Sequence, residues 1–297
     1  FKTPAEFIQW AFFLENSQME ISRVEALSDR IVQTYAWGNA VWHVWQQGRN
    51  SLQSPVKASV PNNQPEMLAR SLVLLHGGSG SWTHWVRNVE YLSQFRTVWA
   101  LDIPGFGDSS LPAGVSDADG LLPYMADILQ HTFDGQAVDV MGFSFGGMTA
   151  GLLAAERPEL IRQLLLIGAP GLGIFGKELP MRGMTPNMDE AAQRHVHRHN
   201  LSTMMFKHAD SVTDEVIDLQ QANVVRDRLR RRRIARTDVL ARAQPQWTCP
   251  VHGVWGESDA LYIHTLPQVP QVLSNLASFT VVPDAGHWVM YEHPEAF

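Results

Sequence analysis

The chain of 297 residues holds a single cysteine, Cys249. That count excludes a disulfide framework and any metal centre built from several thiolates, and it leads us to expect a reducing, cytoplasmic setting. No apolar run reaches the roughly 18–20 residues a membrane-spanning helix requires, so no membrane span is expected. The segment Phe7–Leu14 (FIQWAFFL) is apolar but short, and Glu6 and Glu15 flank it. It lacks the basic n-region and small-residue cleavage site of a signal peptide and reads as a helix packed on the body, with a remnant of a cleaved leader as the alternative.

Charge is also scarce. Asp, Glu, Lys and Arg make up 18% of the chain against 45% hydrophobic residues, which excludes a disordered chain. The formal net charge is −7. Eight arginines crowd between Arg226 and Arg242, so the remainder is more acidic still. A surface that grips phosphates needs basic charge spread over a face, and nucleic acid is excluded as the main partner.

The remaining pattern alternates strands with helices. Ile31–Trp37 and Val41–Trp45 are rich in β-branched and aromatic residues and flank Gly38-Asn39, a hairpin-turn signal. Residues 46–70 show no periodicity and read as a surface excursion. Ser71–Leu75, Thr97–Leu101, Ala137–Met141, Leu164–Ile167, Val251–Trp255 and Phe279–Val282 are almost continuously apolar, as strands covered on both faces are. Helical stretches at Leu121–His131 and Gly147–Glu156 fall between them. The expected fold is α/β, a mostly parallel, doubly wound sheet. The alternation stops between residues 171 and 245, where Met, His and Arg dominate. That segment is expected to be an inserted helical cap. Residues 1–170 and 246–297 are then the core, with 1–29 as an N-terminal extension.

One motif carries chemistry. Ala137–Met141 runs into Gly142-Phe143-Ser144-Phe145-Gly146, and a helix follows. G-x-S-x-G between a strand and a helix places a serine on a strained turn, exposed above the sheet edge beside a helix N-terminus that favours developing negative charge. A serine hydroxyl needs an adjacent base. His287, in the glycine-bounded loop Asp284–His287 after the last strand, is the expected base. Asp259 follows the strand Val251–Trp255 and is expected to orient it, with Glu257, Asp284 and Asp102 as rivals. Two backbone donors should hold an oxyanion: the N–H of Phe145, and that of Gly78 in the loop His76–Gly80, with Ser79 as runner-up. His76 reads as a scaffold for this loop. Ser79, Trp82, Phe143 and Trp288 flank these positions and are expected to line an aromatic, apolar substrate pocket.

Other features are set aside. His195 and His199 share a helical spacing with His197 between them, but no H-E-x-x-H accompanies them, and neither a metal nor another cofactor is expected. Arg226–Arg236 reads as one helix wrapped in arginines, solvated or facing a partner, with the sharper alternative that one arginine grips a substrate carboxylate. Cys249 reads as a buried core residue.

The segments LVLLHGGSGSWTHW, ALDIPGFGDSS, GFSFGGMTA, VWGESDALY and DAGHWVMYEHPEAF together resemble the α/β-hydrolase superfamily. Within it they are similar to the lid-bearing group of small-molecule esterases and meta-cleavage-product C–C hydrolases. The order Ser144, Asp259, His287 matches that superfamily. Serine at 144 departs from the dehalogenases and epoxide hydrolases of the fold, which carry aspartate there. Phe143 departs from the C–C hydrolases, which carry asparagine before the nucleophile, whereas Trp288 and a cap holding arginines agree with them. The resemblance implies a serine hydrolase acting on small, largely apolar carboxylic esters, with C–C hydrolysis of dienoates as the alternative. It also implies a further helix after Phe297.

Overall fold

The computed structural model describes residues 21–48, 71–174, 176–229 and 231–297. The expectations for Phe7–Leu14 and for most of 46–70 lie outside these residues. The strands are β1 (Asp29–Tyr35), β2 (Gly38–Trp45), β3 (Leu72–Leu75), β4 (Val98–Asp102), β5 (Val138–Phe143), β6 (Ile161–Ile167), β7 (Val251–Gly256) and β8 (Ser278–Val282). They form one sheet in the order β1-β2-β4-β3-β5-β6-β7-β8. β1, β2 and β4 pair antiparallel in turn, and every other pairing is parallel.

The side-chain period of two divides β3 between two cores. Val73 and Leu75 join the cluster beneath helices α1 (Leu122–Thr132) and α2 (Phe145–Glu156), while Leu72 and Leu74 join the cluster on the opposite face. α2 is buried on nearly every side, from Phe145 to Ala154, which explains why its sequence lacks a polar face.

Three local expectations need correction. The hairpin turns at Ala36-Trp37, not at Gly38-Asn39, since Tyr35 already pairs with Gly38. Gly38 instead serves close approach: a Cβ there would lie 2.5 Å from the Cβ of Ser110. β6 starts at Ile161, before the apolar run, and its polar Arg162 is held by Asp139 of β5 at 2.7 Å. Cys249 is only half-buried, packed against the edge of the core.

Between β6 and β7 the described residues contain no strand. Helices α3 (Glu190–Met204), α4 (Asp214–Val225) and α5 (Val239–Ala243) occupy that stretch. Asp189 caps α3 by accepting the Ala192 N–H at 2.8 Å, and Thr213 caps α4. Arg194 bridges Asp214 and Asp218, which ties α3 to α4.

Among the described residues the arginine run forms no α-helix, only one short 3-10 turn at Ile234–Arg236. α4 ends at Val225, and the chain then folds back on the Gly105–Ser109 loop, where the Arg228 N–H meets the Gly105 carbonyl at 2.8 Å and its guanidinium meets the carbonyls of Gly107 and Ser109. Leu229 is buried in the core, and Asp117 accepts the Arg233 N–H at 2.6 Å. Partners on the core side outweigh the helical preference of the sequence.

Candidate active site

Ser144 sits where β5 passes into α2, with φ 50° and ψ −117°, a conformation that costs a non-glycine residue free energy. Its N–H is held by the Ile167 carbonyl at 2.7 Å. The tight passage depends on small neighbours. A Cβ on Gly146 would lie 2.4 Å from the carbonyl oxygens of Leu75 and His76, and one on Gly142 would lie 2.6 Å from the Cα of Gly147.

His287 reaches the serine from the loop after β8. Its Nε2 lies 2.9 Å from Ser144 Oγ, and its Nδ1 lies 2.8 Å from Asp259 Oδ2. Asp259 leaves β7, is 1% exposed, and accepts the Leu261 N–H on its other oxygen at 3.0 Å. With Asp259 accepting at Nδ1, the imidazole carries its hydrogen there and turns the Nε2 lone pair to the serine hydroxyl.

The rival carboxylates are engaged elsewhere. Buried Asp102 accepts the N–H groups of Trp82 and Asp108, each at 2.9 Å, and burial pushes its carboxyl up to about 6. Glu257 accepts the Asp284 N–H at 3.1 Å, and Asp284 pairs with Lys207 and His208.

The loop after β3 is fixed by two histidines. The Ile103 N–H donates to His76 Nε2 at 3.0 Å, so His76 carries its hydrogen on Nδ1 and donates it to the Gly77 carbonyl at 2.7 Å. Desolvation lowers His76 to about 4, which keeps it neutral. The Gly77 N–H donates to His84 Nδ1 at 3.1 Å. The N–H groups of Gly78 and Phe145 have no recorded acceptor among the described residues, and both residues line the cavity with Ser144. Within WTHW nothing in the sequence distinguishes His84 from a surface histidine.

That cavity has a volume of about 880 Å³. The core supplies Gly77, Gly78, Ser79, Phe143, Phe145 and Tyr262. The strandless stretch supplies apolar residues such as Met181, Met184, Leu201, Met204 and Met205. Of the four expected substrate-binding residues, Ser79 and Phe143 line it. Trp82 and Trp288 do not. Trp82 stacks on His43 with centroids 5.0 Å apart, and Trp288 is fully buried, packs on His84 and Tyr291, and donates Nε1–H to the His84 carbonyl. A buried indole N–H gains from an acceptor, which Trp288 finds in the His84 carbonyl, while Trp82 packs its ring on His43 and Trp45.

Arg232 does reach the cavity. Its guanidinium lies against Gly78 and pairs with Asp227, which also accepts the Ser79 hydroxyl at 2.6 Å. Its Nε–H is buried without an acceptor. Among the three histidines of α3, His197 turns into the cavity, while His195 meets Arg182 at 2.7 Å and His199 meets the Pro180 carbonyl at 2.8 Å. Burial lowers His197 below its ordinary value.

Comparison with known proteins agrees with this architecture. Residues 72–297 match the alpha/beta hydrolase family. The dihydrolipoyllysine-residue acetyltransferase component of the acetoin cleaving system of Pseudomonas putida is 32% identical over 236 residues, which cover 75% of this chain and 60% of that protein. The chain thus spans less than two thirds of that relative's length. The 2-hydroxymuconate semialdehyde hydrolase of Pseudomonas sp. (strain CF600) is 28% identical over 246 residues, covering 76% of this chain and 83% of its own. A carboxylesterase from Bacillus subtilis shares the fold with a TM-score of 0.64 at 19% identity, over 94% of this chain and 93% of that one. No helix among the described residues is long and apolar enough to cross a membrane.

Proposed function

The chain belongs to the alpha/beta hydrolase family, and on that premise we propose that it is a serine hydrolase cleaving carboxylic esters of small, largely apolar molecules through an acyl-enzyme. The observation that carries this reading is the line of contacts Asp259–His287–Ser144, at 2.8 and 2.9 Å, at the wall of an apolar cavity. Ser144 Oγ attacks the ester carbonyl while His287 Nε2 takes its proton, and His287 returns that proton to the departing alcohol. Asp259 holds the imidazole in the tautomer this requires and stabilises the imidazolium. The N–H groups of Gly78 and Phe145 hold the tetrahedral oxyanion. Water, deprotonated by His287, then releases the acid. Residues 171–245 act as the cap, whose methionines and leucines fit the acyl or aryl part of the substrate by shape and desolvation.

A second reading, hydrolysis of a C–C bond in a meta-cleavage dienoate, draws support from Arg232. Its unpaired Nε–H in the cavity wall suits a substrate carboxylate. Against it stands Phe143 beside Ser144: an apolar side chain there offers a carboxylate no hydrogen bond, and desolvating the anion is costly.

The test is a panel of short-chain, medium-chain and aryl esters assayed beside a dienoate, with fluorophosphonate labelling of the same preparation. One label per chain on Ser144 and faster ester turnover support the proposal. Failure to label Ser144 overturns the nucleophile, and dienoate turnover above that of every ester moves the C–C reading ahead.

A further inference from the structure

A second cluster of chemistry-bearing side chains lies outside the cavity, at the seam between the Lys207-His208 stretch and the loop that carries His287. His208 Nε2 lies 2.9 Å from Asp284 Oδ2, and His293 Nε2 lies 2.9 Å from the Asp284 carbonyl. One ligand-type atom from each of the three residues falls within 4.8 Å of the other two. Lys207 Nζ holds the other Asp284 oxygen at 2.6 Å. Hydrogen bonds to Lys207 and His208 lower the Asp284 carboxyl below its ordinary value.

The backbone beneath these side chains is prearranged. The carboxylate of Glu292, the neighbour of His293, accepts the N–H of His208 at 2.9 Å and that of Gly286 at 2.7 Å. Asp284 takes a φ of 61°, which turns its side chain back toward His208. One carboxylate thus fixes the spacing of all three residues, although His208 is far from the other two in sequence.

We propose that His208 Nε2, Asp284 Oδ2 and His293 Nε2 form a binding site for Zn²⁺, independent of the ester chemistry. Two imidazoles and one carboxylate are a three-ligand set typical of zinc with a water in the fourth position, and imidazole nitrogen disfavours Mg²⁺ and Ca²⁺. In a tetrahedron, zinc–ligand bonds of ~2.0–2.2 Å set ligand atoms roughly 3.3–3.6 Å apart, so the 2.9 Å contact between His208 and Asp284 opens slightly while His293 Nε2 swings in from the Asp284 carbonyl. On binding, each imidazole gives up its Nε2 hydrogen and carries one on Nδ1 instead. Lys207 stays on Asp284 Oδ1, leaving Oδ2 for the ion. The ion would stitch the 207–208 stretch to the His287 loop and stabilise the folded chain.

The probe is Zn²⁺ itself, added to the metal-stripped full chain and followed by titration calorimetry and thermal unfolding. One ion per chain is expected at micromolar concentrations, with Tm raised by roughly 5 °C at a hundredfold excess over Kd. His208→Ala and His293→Ala should each weaken binding at least tenfold, whereas His195→Ala/His199→Ala should leave it unchanged. His293→Gln keeps a donor for the Asp284 carbonyl and serves if His293→Ala does not fold. Absence of stoichiometric binding overturns the proposal. So does binding that survives in His208→Ala/His293→Ala, or Ca²⁺ binding as tight as Zn²⁺.

Discussion

The ring of Phe143 packs against the imidazole of His287, with centroids 5.0 Å apart and planes inclined at 43°. The residue before the proposed nucleophile therefore braces the proposed base and also lines the cavity. Phe143→Asn removes both contacts. Ester kcat/KM should fall by roughly 10–200-fold, the scale of a lost apolar contact in a pocket. The same substitution should raise any turnover of a dienoate, because it supplies a polar partner beside the serine. A Phe143→Asn enzyme with unaltered ester kinetics removes the basis for preferring ester chemistry.

Substitutions along the Asp259–His287–Ser144 line should separate roles from packing. Ser144→Ala removes one hydroxyl and should abolish turnover with Tm retained. Asp259→Asn should lower kcat on the order of 10⁴-fold by favouring the wrong imidazole tautomer. Glu257→Gln and Asp284→Asn should stay near wild type, since neither carboxylate contacts His287. The reverse pattern, with Asp259→Asn active and either of the others dead, would reassign the acid.

Arg232 and Asp227 form a pair in which Asp227 is 7% exposed. Removing the arginine alone strands that carboxylate and should destabilise the fold by about 2–4 kcal/mol, the cost of a broken, mostly buried pair discounted for partial solvent access. Arg232→Met/Asp227→Leu should recover much of the loss. Urea midpoints of the three proteins decide it: equal midpoints for Arg232→Met and wild type would show the pair contributes nothing.

The parallel strands, the alternation and the Ser144 turn were legible because their signals are local: apolar runs of strand length, and glycines where a Cβ would strike a neighbouring carbonyl, as at Gly146. The nearness of Trp82 and Trp288 in sequence to Ser79 and His287 suggests a place in the pocket. A side chain's direction depends on what it packs against: Trp82 turns to the His43 ring and Trp288 to the His84 carbonyl instead. The i, i+4 spacing of the arginines in Arg226–Arg236 suits one helix, yet the carbonyls of Gly107 and Ser109 and the carboxylate of Asp117 lie far away in sequence and take those residues out of one. The contact of Asp227 with Ser79, 148 residues apart, is out of reach for the same reason.

Acid should weaken the fold. His43 and His76 are buried and lowered from 6.5 to about 4 by desolvation, and the same cause lowers His84 well below its ordinary value. A histidine whose folded pKa lies below its unfolded one favours the native state fully above pH 6.5, and this advantage is lost as pH falls from 6.5 to 4. For His43 and His76 that is about 3 kcal/mol each. Asp102 acts in the opposite sense. Burial raises it from 3.8 to about 6, so its unfavourable contribution is relieved as pH falls through that window, recovering about 3 kcal/mol. Two histidines against one carboxyl leave a net loss of about 3 kcal/mol, and His84 adds to it. The urea midpoint should therefore drop steadily between pH 6.5 and 4, and His43→Gln, which removes one titrating ring from its stack on Trp82, should flatten that slope. A midpoint that rises on acidification would mean that Asp102, rather than the buried histidines, dominates the acid response.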